Sequence, residues 1–298
     1  MEVIFDMIET GFAYAKINIS LDIISKMDNG YHNLKTIMQT ISLSDEITIE
    51  CKANETNCSE NDVRIIDSGR SFLPSDERNI AIKAVVAFFE FTRIKGYTIR
   101  ISIKKNIPVC AGLGGGSADG ACVVRMMDKM LKTNLNRESL IKIGNSIGSD
   151  VPFCIFGGTV LAEGRGDVLT NQPPLPECFI VLCKPNFNCS TPELFKRINL
   201  KKIKIRPDTD GIVSSLETGD LTGVARRMYN VFEDFLPRGL GDIEDIRYKM
   251  LDNGSLGAIM TGSGSTVFGI FDSEKNAKEA YDKLSKEYKD VYFSKPVN

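Results

Sequence analysis

The N-terminal half of the chain carries two different spacings of apolar side chains. A two-residue alternation predicts strands, and it covers Phe12–Ile24, Lys35–Ile41, Glu46–Glu50, Tyr97–Ile103 and Gly157–Ala162. The helical period predicts helices over Asn79–Ile94, Ser117–Leu131 and Arg137–Ile147. The expected buried face of the first helix consists of Ile82, Val85, Val86, Phe89 and Ile94. We expect residues 42–45, Ser-Leu-Ser-Asp, to separate two of the strands, whereas residues 54–76 are polar and predict little.

The C-terminal half also mixes strands and helices. Strands are predicted at Phe179–Cys183, Gly257–Met260 and Val267–Phe271, and helices near Pro192–Arg197, Asp220–Phe235, Gly241–Leu251 and Ser273–Glu287. The proline-rich stretch 173–176 is typical of a linker between domains. The pattern therefore predicts an α+β protein of two domains, residues 1–170 and 171–298.

Composition and charge favour a globular protein with a small-molecule partner. The 298 residues are 42% hydrophobic and 26% charged, and 37 basic residues nearly balance 39 acidic ones. No global field therefore attracts nucleic acid or an anionic membrane. Eight cysteines without a Cys-x-x-Cys pair predict reduced, buried thiols, and a single histidine disfavours a zinc site. With neither a signal peptide nor a long apolar run, the expected location is the cytoplasm.

A glycine-rich stretch lies between the strand at Tyr97–Ile103 and the helix that follows it. It runs from Pro108 to Ala121 as Pro-Val-Cys-Ala-Gly-Leu-Gly-Gly-Gly-Ser-Ala-Asp-Gly-Ala. Glycines leave backbone N–H groups uncovered, and a helix N-terminus adds further N–H groups, so the pattern predicts a phosphate-binding loop. The spacing fits neither the Walker loop nor the dinucleotide fingerprint. A glycine-rich turn without a ligand is the alternative.

Several polar and aromatic residues elsewhere are candidates for chemistry. Lys16 and Asn18 share one face of the first strand, where an exposed edge lysine is the alternative. Asp150 follows the end of a helix, and Pro152 is expected to prevent the helix from resuming. Asp150 is either a surface turn residue or a carboxylate at the edge of the core. Tyr31 and His32 follow an Asp-Asn-Gly turn, where an aromatic pair can also serve packing alone.

The glycine loop resembles the Pro-x-x-x-Gly-Leu-Gly-Gly-Gly-Ser-Ser/Ala-Asp-Ala-Ala signature of the GHMP kinases, which include galactokinase, homoserine kinase and mevalonate kinase. Gly120 stands where alanine is usual. Further segments resemble the branch of this family that acts on a cytidyl substrate, and they span nearly the whole chain. They are Ala15–Asn18, Gly30–His32 with Gln39, Ile147–Pro152 with Gly157 and Gly158, and Thr261–Gly264. The last lies in a glycine-serine turn, 260–266, that could face a phosphate or only close a hairpin.

This resemblance implies the two-domain GHMP kinase fold, with an N-terminal domain like ribosomal protein S5 and a ferredoxin-like C-terminal domain. It implies Mg2+- and ATP-dependent phosphorylation of the 2-hydroxyl of cytidine diphosphate methylerythritol, a step of non-mevalonate isoprenoid biosynthesis. Lys16 and Asp150 would be catalytic. The residues implied to hold ATP are Asn79, Lys105, Pro108, Gly112, Leu113, Gly114, Gly115, Gly116, Ser117 and Ala118. Those implied to hold the substrate are Asn18, Tyr31, His32, Thr191 and Phe195. For Phe195 a core position on a short helix is the alternative.

Two alternatives stay open at this point. A GHMP kinase could act on another alcohol, such as homoserine or mevalonate, and a catalytically silent nucleotide sensor could retain the same fold. The presence of both Lys16 and Asp150 disfavours the sensor, because ATP binding needs the loop but not this pair. The sequence specifies no metal ligands. Ser117 is a candidate for a metal or phosphate contact, although a helix cap would place a serine there too.

Overall fold

The computed structural model of the chain describes residues 6–28, 30–54, 60–237 and 241–298. The strands are β1 Met7–Lys26, β2 His32–Ala53, β3 Asp62–Asp67, β4 Tyr97–Lys104, β5 Thr159–Gly164, β6 Val168–Asn171, β7 Phe179–Lys184, β8 Tyr229–Asn230, β9 Gly257–Met260, β10 Val267–Phe271 and β11 Asp290–Ser294. The α-helices are α1 Ile80–Thr92, α2 Gly115–Met130, α3 Arg137–Ile147, α4 Val151–Phe156, α5 Thr191–Arg197, α6 Thr209–Glu217, α7 Leu221–Arg226, α8 Gly241–Asp252 and α9 Glu274–Leu284. Short 3-10 helices span Leu200–Lys202 and Val231–Phe235.

The first of two compact units comprises the chain up to Ala15, Ser44–Ile107 and Gly115–Phe156. Its strands lie in the order β3-β4-β2-β1, with β3 parallel and β2 antiparallel to β4. Helix α2 packs against α1, α3 and α4. The core contains the branched side chains of β2 and β4 together with Phe88 of α1. This unit therefore has the helix-on-sheet arrangement expected of an α+β protein.

The second unit comprises Lys16–Leu43, Pro108–Gly114 and Gly157–Asn298. Its strands β8, β1, β2, β5 and β6 are hydrogen-bonded in that order, with β8 parallel to β1. A separate antiparallel sheet has the order β11-β7-β10-β9, and α8 and α9 pack on it. Both units are built from several segments of chain. The predicted domain boundary between residues 170 and 171 stays a prediction.

Most predicted elements are confirmed, but the strand break at residues 42–45 is wrong, because β2 continues through it. The backbone N–H groups of Ser42 and Leu43 donate to Lys295 O and Ser294 Oγ, at 2.9 and 3.2 Å. The Asp45 carboxylate accepts from two backbone N–H groups. Polar groups that usually form a turn are thus satisfied by neighbouring segments, so the strand stays extended.

The predicted helix Asp220–Phe235 is also wrong, since this stretch breaks into α7, β8 and a 3-10 helix. Asn230 causes the break. Its side-chain N–H group donates to Met260 O at 2.7 Å and Gly262 O at 2.8 Å, and its Oδ1 accepts from Phe232 N. In α1 the expected burial of Val86 is wrong, because Ala81, Ala84 and Phe88 face the core instead and Val86 is exposed. Strands β3, β6 and β11 and helix α6 were not predicted.

The described cysteines are free, but they are not uniformly buried. Cys51, Cys122, Cys178 and Cys183 are buried, whereas Cys110 is exposed, so the prediction of a buried thiol is wrong for Cys110. Burial raises the pKa of a buried thiol, to about 11 for Cys122, and so keeps the thiol protonated at neutral pH. Cys58, for which a buried thiol was also predicted, lies outside the described residues. None of the helices in the described part of the chain has both the length and the hydropathy to span a bilayer.

Gly120, where alanine is usual in the resembling signature, lies at the contact between α1 and α2. A Cβ atom there would come within 2.7 Å of Ile80 Cγ2. That distance is shorter than a normal carbon contact, and the methyl group on the β-carbon of Ile80 cannot swing away without moving the side chain. Ile80 thus explains why this chain has glycine at a helical position where alanine would add about 1 kcal/mol of helix propensity.

Three buried charges hold the end of β4 against β2 and α2. Lys105 Nζ donates to Asp45 Oδ2 at 2.5 Å and to Asp119 Oδ2 at 2.7 Å, and all three side chains are buried. Burial lowers the pKa of Lys105, but the two carboxylates outweigh this effect and raise it. Burial, partly offset by Lys105 and reinforced by Asp45, raises the pKa of Asp119 to about 7. Asp119 Oδ1 has no hydrogen-bond partner among the described residues.

The raised pKa of Asp119 gives folding stability a specific pH dependence. The folded carboxyl holds its proton more tightly than the unfolded one, so the wild type loses stability as pH rises from about 4 towards about 7. Asp119→Asn cannot ionise and lacks this loss. Thermal unfolding at a series of pH values should therefore show the unfolding free energy of the variant, minus that of the wild type, rising by on the order of 1 kcal/mol per pH unit between about pH 4 and about 7 and levelling off above that. Glu90→Gln, at an exposed position of α1, is the control, and parallel profiles for wild type and Asp119→Asn would contradict the account.

Candidate active site

Lys16 and Asn18 lie on β1 within the second unit, and both are buried, which excludes the exposed edge lysine. Lys16 is 5% exposed, and its Nζ donates to Asn18 Oδ1 at 2.7 Å. The Lys16 backbone N–H group donates to Leu113 O at 3.0 Å. This places the base of the lysine side chain directly beside the glycine loop. The predicted shared face of Lys16 and Asn18 is confirmed by their hydrogen bond.

The amide of Asn18 is fixed on both sides. Asn18 Nδ2 donates to Thr36 Oγ1 at 2.8 Å, and the Thr36 hydroxyl donates in turn to Ser20 O at 2.5 Å. With its N–H side engaged in this way, the amide directs Oδ1 towards Lys16. Thr36 was not predicted, because a threonine in a strand is ordinary for any β-sheet.

Two glycines of the loop have backbone conformations and surroundings that exclude a side chain. Gly112 and Gly114 have φ angles of 77° and 67°. A Cβ atom at Gly112 would lie 2.3 Å from Thr261 O, and one at Gly114 would lie 3.0 Å from Lys16 Cγ. The glycines thus allow the loop to contact Thr261 on one side and the Lys16 stem on the other. Leu113 between them is buried.

Helix α2 begins at Gly115, two residues earlier than the predicted start at Ser117. The first N–H groups of a helix have no partner within it, so Gly115, Gly116 and Ser117 contribute free donors at the end of the loop. Gly116 is exposed, Ser117 is half-buried and Ala118 is buried. Such an end also carries the positive pole of the helix dipole, which suits a phosphate. Pro108, half-buried, begins the loop.

The glycine-serine turn at residues 260–266 closes the hairpin between β9 and β10. Thr261 N donates to Thr266 O at 2.9 Å, and Thr266 N donates to Ala111 O at 3.3 Å. Asn18 N donates to Thr261 Oγ1 at 2.9 Å. The turn therefore joins β1 to the glycine loop. It closes a hairpin, as one of the two alternatives expected, and the other alternative, contact with a phosphate, stays a prediction. Composition alone could not reveal this role, because Thr261 and Asn18 are far apart in the sequence.

Two of the three aromatic candidates, His32 and Phe195, meet at α5. His32 stacks on Phe195 with ring centroids 4.9 Å apart, and Phe195 meets Phe232 edge to face at 5.0 Å. The Arg165 guanidinium lies 5.2 Å from the ring centroid of Tyr31, which is 54% exposed. The structure thus brings His32 and Phe195 together, and it adds Arg165, from the turn after β5, for which the sequence carries no signal.

Thr191 and His32 have neighbours that define their hydrogen-bonding state. The hydroxyls of Thr191, the first residue of α5, and Ser263 of the hairpin are 2.6 Å apart.

Burial lowers the pKa of His32, and the charge of Lys26 lowers it further. A neutral imidazole has one donor and one acceptor nitrogen, which suits recognition of a base edge.

Asp150 belongs to the first unit and lies between α3 and α4. Helix α3 ends at Ile147 as predicted, but the expectation that Pro152 prevents a new helix is wrong. Pro152 is the second residue of α4, where its missing N–H group costs no intrahelical hydrogen bond. Asp150 directly precedes this helix, its backbone O accepts from Cys154 N at 3.1 Å, and the residue is half-buried. It is therefore not a fully exposed turn residue.

The two residues expected near the adenine have structural partners within the first unit. Asn79 caps α1, where its Oδ1 accepts from Ala81 N at 2.9 Å and its Nδ2 donates to Pro74 O at 2.8 Å. Lys105 is held by Asp45 and Asp119, and a Cβ atom at Gly115 would lie 3.6 Å from its ammonium group. Lys105 thus adjoins the start of α2. Contact of either residue with ATP stays a prediction.

Comparison with known proteins agrees with the predicted family. The GHMP kinases N terminal domain family matches residues 79–158, and the GHMP kinases C terminal family matches residues 212–290. A 4-diphosphocytidyl-2-C-methyl-D-erythritol kinase of Clostridium perfringens is 42% identical over 96% of this chain and 97% of its own length.

Solved structures agree on the fold. A crystal structure of a 4-(cytidine 5'-diphospho)-2C-methyl-D-erythritol kinase matches 97% of this chain and all of its own, with a TM-score of 0.80 at 25% identity. A homoserine kinase from Cytophaga hutchinsonii shares the fold, with a TM-score of 0.74 at 19% identity over 98% of this chain and 97% of its own. The predicted α+β, two-domain GHMP kinase fold is confirmed. The chain belongs to the GHMP kinase family, in the group of the 4-diphosphocytidyl-2-C-methyl-D-erythritol kinases.

Proposed function

We propose that this kinase transfers the γ-phosphoryl group of ATP to the 2-hydroxyl of 4-diphosphocytidyl-2-C-methyl-D-erythritol, giving ADP and the 2-phosphate. The observation that carries the choice of acceptor is the stack of His32 on Phe195, together with Tyr31, which precedes His32 in the chain and lies under the Arg165 guanidinium. Aromatic faces suit a pyrimidine base, and a guanidinium suits a diphosphate. The near-full-length similarity to kinases of this acceptor supports the same choice.

The cytosine would lie between Tyr31 and Phe195. The His32 ring, with its centroid 4.9 Å from that of Phe195, already covers a face of Phe195 on which the base would stack. Base binding would therefore move the His32 ring off Phe195 and turn the His32 nitrogens towards the base edge. Thr191 and Asn18 would lie near the remainder of the acceptor.

Catalysis would depend on alignment and charge rather than on a covalent intermediate. Phosphoryl transfer passes through a loose transition state, so few chemical groups are needed. Asp150 would accept the proton of the acceptor hydroxyl or orient it, and Lys16 would stabilise the charge that develops on the transferring group. The position of Lys16 supports its role, because its stem lies against Gly114 of the predicted phosphate loop.

The nucleotide would be held mainly by backbone N–H groups. Residues 112–118, at the loop and the start of α2, would surround the triphosphate, while Asn79 and Lys105 would lie near the adenine. Use of ATP follows from membership of a kinase family. Nucleic-acid partners are not expected, and a cytoplasmic location stays a prediction.

Magnesium would enter with the nucleotide. Among the described residues, no group of three or more His, Cys, Asp or Glu side chains is placed to hold a metal ion. Mg2+ in kinases binds phosphate oxygens, waters and only one or two protein oxygens, so the donors present fit this mode. The half-buried hydroxyl of Ser117 would be the protein oxygen. Bound Mg2+ would neutralise charge on the phosphates.

The proposed acceptor is tested by a kinase assay with 4-diphosphocytidyl-2-C-methyl-D-erythritol, its uridine analogue, homoserine and mevalonate. We expect turnover of the cytidyl compound with a kcat/KM at least 100-fold above that of homoserine or mevalonate, since the base site would bind only an acceptor that carries a base. Phosphorus NMR should show one new monoester signal. Equal or better turnover of homoserine or mevalonate would contradict the proposed acceptor and leave only the kinase family.

The proposed role of Asp150 predicts a separation of chemistry from nucleotide binding. Asp150→Asn should lower kcat about 10²- to 10⁴-fold, the usual effect of losing acid–base help, while ATP affinity stays within a few-fold. Asp282→Asn, at an exposed position of α9, controls for the loss of one negative charge. Calorimetric titration with ATP measures affinity separately. An Asp150→Asn enzyme that retains half of wild-type turnover would exclude the role.

A further inference from the structure

A short segment after the predicted base site carries only positive charge. Between positions 196 and 206 the sequence contains six basic residues and no acidic one, although the whole chain has more acidic than basic residues. We call these residues the basic strip, and they are Lys196, Arg197, Lys201, Lys202, Lys204 and Arg206. All six are exposed. The overall charge balance therefore conceals a strong local excess.

The basic strip is held in place rather than loosely attached. Ile198, Leu200 and Ile203 pack against the hydrophobic core of the second unit. Asn199 Oδ1 accepts from Lys201 N at 3.1 Å and caps the short 3-10 helix there. At the far end, Arg206 Nη1 donates to Asp22 Oδ1 at 2.7 Å. The apolar residues thus fix the backbone, and the cations extend into solvent.

The positive charge of the strip is not neutralised by nearby carboxylates. In the part of the chain that the structure describes, only Arg206 of the strip forms an ion pair, with Asp22. The acidic residues that follow are already engaged, because Asp208 pairs with Arg227 and Asp210 pairs with Lys35, both at 2.9 Å. Five cations therefore remain to act on solutes in the surrounding water.

The strip begins at the proposed base site. Lys196 directly follows Phe195 on α5, and Phe195 carries the stacked ring of His32. Lys26 adds a further cation, close enough to contribute to the lowered pKa of His32. Glu193 is the acidic residue of α5, so the cations of the strip and Lys26 outnumber the negative charge beside this stack. Fixed charge of one sign beside a site raises the local concentration of oppositely charged ligands and their association rate.

We propose that the basic strip captures the acceptor electrostatically and guides it to the base site. Resting on the proposed function, this inference concerns a nucleoside diphosphate ester, whose diphosphate carries negative charge. The strip does not touch the reacting groups, so it acts on the association of the acceptor and leaves kcat unchanged. Its effect decreases with ionic strength, because salt shortens the range over which exposed charges act.

The test compares three triple variants. The first, Lys201→Gln/Lys202→Gln/Lys204→Gln, removes charge from the strip but leaves α5 and Phe195 unchanged. The second, Lys275→Gln/Lys286→Gln/Lys289→Gln, removes the same charge from exposed positions on or next to α9. The third, Lys201→Arg/Lys202→Arg/Lys204→Arg, keeps the strip's charge. For each, kcat and the kcat/KM of the acceptor are measured from about 20 mM to about 0.5 M salt, a range over which the screening length falls several-fold.

At low salt the strip Gln variant should lose about 3- to 10-fold in acceptor kcat/KM, with unchanged kcat and a smaller loss in the kcat/KM of ATP. The loss should vanish at high salt, and the other two variants should stay within about twofold of wild type. Equal loss in both Gln variants, or a wild-type kcat/KM independent of salt, would overturn the capture role while activity shows that the proposed function stands. A wild-type enzyme without activity on the cytidyl acceptor would overturn both.

Discussion

The arrangement of the candidate site depends on a junction of three segments that are distant in the sequence. Strand β1 donates from Asn18 N to the hydroxyl of Thr261 and from Lys16 N to Leu113 O, which ties it to the hairpin and to the glycine loop. The loop can approach both only because Gly112 has no side chain. Since these groups are buried, leaving any of them unpaired would cost roughly 1–3 kcal/mol. The junction therefore fixes the loop and Lys16 together.

In the first unit a group of buried charges also joins distant segments, because Lys105 lies between Asp45 and Asp119 at the start of α2. Removing one partner from such a group leaves an uncompensated buried charge, which costs several kcal/mol. The group thus holds β2, β4 and α2 in one geometry, and burial, reinforced by the Asp45 carboxylate, raises the pKa of Asp119. Both lysines predicted for the site, Lys16 and Lys105, are therefore held in place by burial and by specific hydrogen-bond partners.

The sequence was most informative where local pattern and tertiary environment agree. The strand at Tyr97, the glycine loop and α2 follow from spacing alone, and the loop also identified the family. Prediction failed where a distant partner decides the local structure. The predicted helix 220–235 is interrupted by β8, where Asn230 hydrogen-bonds to the hairpin, and Ser42 stays in a strand because Lys295 O accepts a hydrogen bond from its backbone N–H group. Arg165 gave no signal at all, since its position over Tyr31 exists only in the folded chain.

The glycine loop positions Lys16 by direct contact at Gly114. Gly114→Ala places a Cβ atom 3.0 Å from Lys16 Cγ and strains a positive φ angle, whereas Gly116→Ala lies in α2 and meets only the flexible end of Ile80. The decisive measurement is kcat at saturating ATP and acceptor for both variants. We expect at least a tenfold loss, about 1.4 kcal/mol, for Gly114→Ala and a value within about threefold of wild type for Gly116→Ala. Equal kcat values for the two variants would contradict the positioning of Lys16 by the loop.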